Sequence, residues 1–321
     1  MFRGSNVKLG VLRVLLASLL ACLTASEAEY YTHETTPGNY VKKIDVDGRT
    51  REFRLHLPDG YDGKRRLPLV FAFHGSSASA SVIERETSLD GIADSLGFIV
   101  VYPEGLHRGW NIGECCRFSF KQHVDETAFV SSMLDRLEHG LTVDTSRVYA
   151  TGYSDGGTLS FLLACRLPNR IAAVAGVSAT LFAPAPQCDL PRPVPVMVIH
   201  GTGDTHIPYE GHPGGRPDVE AAHFTHSAPE VTKFWVAHDH CDTTARSDTS
   251  GRVIRDVYSC PDSAQVVFFT IHGGEHGWPG GGRGWIFSPV PPSDMSATDS
   301  IVKFFLRHHM TRMDWTRPTA P

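Results

Sequence analysis

The segment Gly152-Tyr153-Ser154-Asp155-Gly156 sets a hydroxyl between two glycines. A serine hydroxyl is a poor nucleophile at neutral pH. It attacks a carbonyl when a histidine takes its proton and a carboxylate holds that histidine in the right tautomer. The pentapeptide alone recurs by chance, so its setting decides what it means. Residues 147–153 read as a strand feeding into it and residues 156–165 as a helix leaving it. That strand-turn-helix setting exposes a serine at the C-terminal edge of a sheet, and the glycines let the chain turn there without Cβ clashes.

The acid and the base are expected downstream, in the order serine, carboxylate, histidine. An apolar strand at 195–200 runs out into Gly201-Thr202-Gly203-Asp204, which sets Asp204 just past a strand end. A second, at 265–271, is followed by His272-Gly273-Gly274-Glu275-His276-Gly277-Trp278-Pro279-Gly280, which puts a histidine at the same end. With 17 histidines in the chain, no single one stands out by type. His276 competes with His272, and Asp204 with Asp125 and Glu275. Position favours His276, in a glycine-rich loop long enough to reach Ser154, and Asp204. Asp125 opens a helix, where a carboxylate is favoured by the positive end of the dipole.

The oxygen of the attacked carbonyl becomes an anion and needs two donors already in place. The backbone N–H of Asp155, next to the nucleophile, is expected to be one. The N–H of Ser76, in His74-Gly75-Ser76-Ser77 after the strand at 67–73, is expected to be the other, with His74 structural. Metal ligation is weighed at His238-Asp239-His240-Cys241 and at His272 with His276. Glycines break a helical face in the second, and Cys241 is expected in a disulfide in the first, so neither a metal nor any other cofactor is expected.

These loops need a scaffold. Residues 40–45 and 51–57 alternate around Asp47-Gly48, a hairpin pattern. The unbroken apolar run 67–73 suits a strand buried on both faces. Helical stretches at 89–96, 124–139, 156–165 and 230–238 alternate with strands at 98–102, 147–153, 172–177 and 195–200. Two further β runs cover 252–259 and 265–271, and a last helix opens at Ser296-Ala297-Thr298-Asp299 with Ile301, Phe304 and Phe305 inward. Such alternation predicts an α/β fold, a mostly parallel central sheet flanked by helices on both faces. No repeat or linker interrupts it, so residues 29–321 are expected to form one catalytic domain. The stretch 205–227, rich in Gly, Pro and His, is expected to be a functional loop.

The net charge of -5 lacks the basic footprint of a nucleic-acid binder. Arg3, Lys8 and Arg13 precede an apolar stretch at 14–25, too short to span a bilayer and laid out like a secretory signal. Residues 1–28 are read as that signal, cleaved before Glu29. A lipobox-like Leu19-Leu20-Ala21-Cys22 is the competing reading and would anchor a lipid on Cys22. Either way the domain keeps Cys115, Cys116, Cys165, Cys188, Cys241 and Cys260, an even set suited to disulfides outside the cytosol. Cys241 with Cys260 is the favoured pair, since they flank a helix end and the next strand.

The chain resembles the extracellular polyhydroxybutyrate-depolymerase and feruloyl-esterase group, related to carbohydrate esterase family one. The stretches that carry the resemblance are 68–76, Gly109-Trp110-Asn111 with Cys115-Cys116, Val124-Asp125, 149–157, 171–175, 193–209, Phe234-Trp235, 273–280 and Ser296-Ala297-Thr298. The resemblance implies an α/β-hydrolase fold, Ser154 as nucleophile, Asp204 as acid and His276 as base, and Trp110 bordering the acyl site; an ordinary core tryptophan is the competing reading. The sequence departs from the group around 206–226 and in the oxyanion loop, where Ser76 follows Gly75 and many members of the group carry a cysteine. The implied activity is hydrolysis of feruloyl or acetyl esters of plant polysaccharide, with a polyester such as polyhydroxybutyrate second. A transacylase would use the same three residues. From another class, an inactive hydrolase fold could serve binding at the cell surface, although no member of the triad is missing.

Overall fold

The computed structural model describes residues 36–113, 118–182, 188, 190–212, 225–284 and 290–311. The expected signal segment, Cys22, Cys115 and Cys116 lie outside the described residues. Among the described residues ten strands form one sheet in the order β1-β2-β4-β3-β5-β6-β7-β10-β9-β8. The first two, β1 (Gly38–Val46) and β2 (Arg49–Leu57), are the expected hairpin. Asp47 and Gly48 both take positive φ, 52° and 70°, as a tight two-residue turn between twisted strands requires.

The interior strands are β3 (Leu67–Phe73), β4 (Ile99–Pro103), β5 (Val143–Tyr153), β6 (Ala173–Val177), β7 (Val196–Gly201) and β10 (Gln265–Ile271). All six run parallel. In β3, β4, β6 and β7 every residue is buried, the pattern of strands covered on both faces. The antiparallel pair β1-β2 borders one side of this set, and β9 (Val253–Ser259) with β8 (Arg246–Ser250) borders the other.

The α-helices among the described residues are α1 (Ala80–Thr87), α2 (Leu89–Leu96), α3 (Phe118–Lys121), α4 (Glu126–Gly140), α5 (Asp155–Arg166), α6 (Ala228–His238) and α7 (Ala297–Phe305). Two hydrophobic clusters separate them by face. On one, Phe129 and Leu134 of α4, Leu159 of α5 and Trp235 of α6 pack on Leu69, Phe71 and Phe73. On the other, Ile83 of α1, Ala93 of α2 and Ile301 of α7 pack on Val70, Ala72 and Ile199. This is the expected helix-covered parallel sheet.

Asp125 caps α4, its carboxylate accepting from Ala128 N–H at 2.8 Å. Among the described residues two disulfides, Cys165–Cys188 and the favoured Cys241–Cys260, pin the ends of α5 and α6. Among the described residues no helix is long and apolar enough to cross a membrane.

Candidate active site

Because β5, β7 and β10 are parallel, the loops that leave them emerge at one edge of the sheet, where a binding crevice is expected. Ser154 follows the last residue of β5, with φ 56° and ψ −123°, a backbone conformation that costs a serine on the order of 1–3 kcal/mol. Its neighbours hold it there. The Ser154 N–H donates to Val177 O at 2.9 Å, and the Gly157 and Thr158 N–H groups donate to Ser154 O at 2.9 and 3.1 Å as α5 begins. Gly156 is what lets α5 start so close to β3. A Cβ there would collide with the carbonyl oxygen of Phe73 and come within 2.6 Å of that of His74.

Asp204 and His276 converge on Ser154 through loops that are tied together. Thr202 N–H donates to Ile271 O at 2.9 Å, Gly203 N–H to Gly274 O at 2.9 Å, and Gly273 N–H to the Thr202 hydroxyl at 2.8 Å. His276 Nε2 lies 3.2 Å from Ser154 Oγ, and His276 Nδ1 lies 2.7 Å from Asp204 Oδ2. The second carboxylate oxygen, Oδ1, accepts from the N–H groups of His206 at 2.9 Å and Ile207 at 2.8 Å. All three side chains are nearly buried; Ser154 and His276 each keep 9% exposure, enough to meet a substrate from one side.

Burial alone would raise the Asp204 carboxyl, but the imidazoles of His200, 3.5 Å from Oδ2, and of His276, hydrogen-bonded to it, outweigh burial and hold the group well below the usual carboxylate range. Asp204 is therefore ionised at any pH where the protein would work. An ionised acceptor on Nδ1 fixes the tautomer that leaves Nε2 free to take a proton from the serine hydroxyl.

The expected rivals sit elsewhere. His272 is exposed, its backbone N–H paired with Arg252 O and its carbonyl with the Arg252 guanidinium. Glu275 is exposed, and Asp125 is spent on its helix cap. At the other weighed cluster, Asp239, Cys241 and Cys260 bring ligand atoms within 4.8 Å of one another. The two sulfurs are joined to each other, Asp239 accepts from Val194 N–H, and His238 donates to Phe234 O.

The loop after β3 comes up against Ser154. A Cβ on Gly75 would stand 3.3 Å from the Ser154 Cβ. The next residue, Ser76, is exposed and its N–H makes no hydrogen bond among the described residues, whereas Ser77 N–H donates to Arg108 O at 2.8 Å. Asp155 opens α5 directly after Ser154. His74 anchors this loop from below: Nδ1–H donates to Gly75 O at 2.8 Å and Nε2 accepts from Gly105 N–H at 2.9 Å. Burial pushes its pKa down to about 4, which keeps it neutral and able to do both. Trp110 has no exposed surface. It packs edge-on to Phe73 and across His74, and its indole N–H donates to His74 O at 2.8 Å. The tryptophan thus lies under the loop and supports it, rather than standing on the rim.

Two residues were not singled out from the sequence. His200, at the end of β7, is 1% exposed, donates from Nε2 to Ile207 O at 2.8 Å and stands 3.5 Å from Asp204 Oδ2. His206 is exposed, and its ring stacks on that of His276, 5.0 Å between centroids and 22° between planes. Nothing distinguishes either from the other histidines until the turn after β7 is folded.

A family model described as Esterase PHB depolymerase matches residues 51–190. NocK of Nocardia uniformis subsp. tsuyamanensis, a protein named as an esterase, is 30% identical over 281 residues, covering 83% of this chain and 82% of that one. Feruloyl esterase B of Piromyces equi is 28% identical over 245 residues, covering 74% of this chain and 44% of that one. Among solved structures, the acetyl xylan esterase of Aspergillus awamori shares the fold, with a TM-score of 0.57 at 15% identity over 83% of this chain and 98% of that one. The chain has the α/β-hydrolase fold and belongs to the polyhydroxybutyrate-depolymerase and feruloyl-esterase family, and it is an esterase, a hydrolase of carboxylic esters.

Proposed function

We propose that this esterase removes feruloyl or acetyl groups from plant polysaccharide through an acyl intermediate on Ser154. The observation that carries the mechanism is the hydrogen-bonded line from Ser154 Oγ through His276 to Asp204. His276 Nε2 takes the hydroxyl proton as Oγ bonds to the ester carbon. The carbonyl oxygen, now an anion, is held by the N–H groups of Ser76 and Asp155. Collapse breaks the bond to the alcohol oxygen, which leaves with the proton from Nε2. Water then repeats the sequence and frees the acid. Asp204 stays ionised throughout and stabilises the imidazolium. Trp110 and His74 act from beneath, holding the 74–77 loop in register with Ser154.

The substrate class is supported by the name of the Piromyces relative and by the shared fold of the acetyl xylan esterase. A polyester is the second reading, favoured by the family model's description. Residues 29–321 are proposed as one catalytic domain. Export is part of the proposal, motivated by the basic and apolar N-terminus and by the two disulfides. The test is a panel of methyl ferulate, p-nitrophenyl acetate, acetylated xylan and a polyhydroxybutyrate film, with Ser154→Ala as blank. Ferulate and acetate release that the blank lacks is expected. Erosion of the film faster than either release would move the assignment to a polyester.

A further inference from the structure

We infer that His206 is a specificity-determining residue on the alcohol side of the site, where it hydrogen-bonds the hydroxyl groups of a sugar-like alcohol. The inference rests on the proposed roles of Ser154 and His276. When the acyl group transfers, the bond from the ester carbon to the alcohol oxygen breaks, the bond to Ser154 Oγ forms, and the proton from Oγ passes through His276 Nε2 to the departing oxygen. That oxygen must come within about 3 Å of Nε2. Among the described residues two rings border that of His276, Tyr153 at 4.8 Å between centroids and His206, and of the two only His206 is exposed, so His206 stands on the side where the departing alcohol meets solvent.

His206 occupies that border for reasons built into the turn. Its backbone N–H is held by Asp204 Oδ1 at 2.9 Å, so the residue cannot drift from the triad. Its ring lies against His276 at 5.0 Å and 22°. Ile207, next in the chain, is 4% exposed and pins the turn to the core, while Thr205 and His206 face outward. Neither ring nitrogen of His206 makes a hydrogen bond among the described residues. A neutral imidazole offers one donor and one acceptor, which matches adjacent hydroxyls on a polyol and gives nothing to an alkyl alcohol. A stacked, backbone-anchored ring also loses little freedom when it binds.

The test compares two acetyl esters that differ only in the alcohol, an acetylated xylo-oligosaccharide and ethyl acetate. Since kcat/KM covers steps up to loss of the alcohol, it reads acylation alone, and the common acetyl-enzyme cancels. His206→Phe keeps a flat ring against His276 without the hydrogen bonds; His206→Gln keeps a donor and an acceptor. The Phe variant is expected to lower kcat/KM for the sugar ester about tenfold, the worth of one or two net hydrogen bonds, while ethyl acetate stays within about twofold. The Gln variant is expected to recover most of the sugar-ester rate. Equal losses on both esters, or none on the sugar ester, would overturn the inference. Hydrolysis that survives Ser154→Ala would instead bring down the assignment of the triad, and this inference with it.

Discussion

Asp204 Oδ2 and His276 Nδ1 stand 2.7 Å apart although 72 residues separate them in the chain. Their loops meet because β7 and β10 are adjacent parallel strands. His272, one residue past the end of β10, is exposed, and its backbone pairs with Arg252. His276→Ala is therefore expected to lower kcat/KM on p-nitrophenyl acetate by about 10⁴-fold, and His272→Ala by no more than about twofold, as for a surface substitution. A larger loss at His272 would reassign the base.

Gly156→Ala pushes a methyl into the carbonyl oxygens at the end of β3. Overpacking against backbone cannot relax by a rotamer change, so a loss on the order of 3 kcal/mol is expected in urea unfolding. Gly60 has open space around it and should accept alanine within about 0.5 kcal/mol. Equal midpoints for the two variants would refute the tight approach of α5 to β3.

Trp110→Phe keeps an aromatic ring beside His74 but leaves His74 O without its donor. The expected result is a stability loss of about 1 kcal/mol together with a fall in kcat that exceeds the change in KM, because in the proposed mechanism the loop it steadies holds the oxyanion of the transition state more than the bound ester. A rise in KM with kcat unchanged would return Trp110 to the acyl pocket that the family resemblance implied.

Asp239 is fully buried, with one oxygen accepting from Val194 N–H and the other without a hydrogen bond. Burial pushes its pKa up to about 7. The folded protein thus binds this proton more tightly than the unfolded chain, whose carboxyl titrates near pH 4. Stability from the neutral form is present below that value and is lost as pH rises towards 7. Asp239→Asn should match the parent at pH 3.5 and exceed it by a few kcal/mol, roughly 2–4, at pH 8. Thermal unfolding at the two pH values would show it; a variant less stable at pH 8 would contradict the buried ionisation.

Much of the scaffold was legible because buried parallel strands announce themselves as apolar runs. Residues 67–73 and 195–200 are nearly the observed strands, and the loops that follow them carry Gly75 and Asp204. The elements that escaped are those whose residues carry no such pattern. All five residues of β8 are exposed and polar, so no alternation marks it. In α1 half the residues are buried, one of them Glu86, which reads as a surface charge. His200 and His206 escaped for a different reason. Their relation to Asp204 depends on the hydrogen bonds of one turn, and neither spacing nor residue type reveals those. The two expected oxyanion donors are backbone groups, which a sequence can suggest only by position.

The central claim is that Ser154 is the nucleophile that takes the acyl group, and an active-site-directed fluorophosphonate, which bonds to an activated serine oxygen through phosphorus with loss of fluoride, tests it most directly. Peptide mapping by mass spectrometry after complete inactivation should find a single adduct on the peptide containing Ser154, and no labelling of the His276→Ala variant at the same reagent concentration. An adduct on any other residue accompanying the loss of activity, or full inactivation with Ser154 unmodified, would contradict the account.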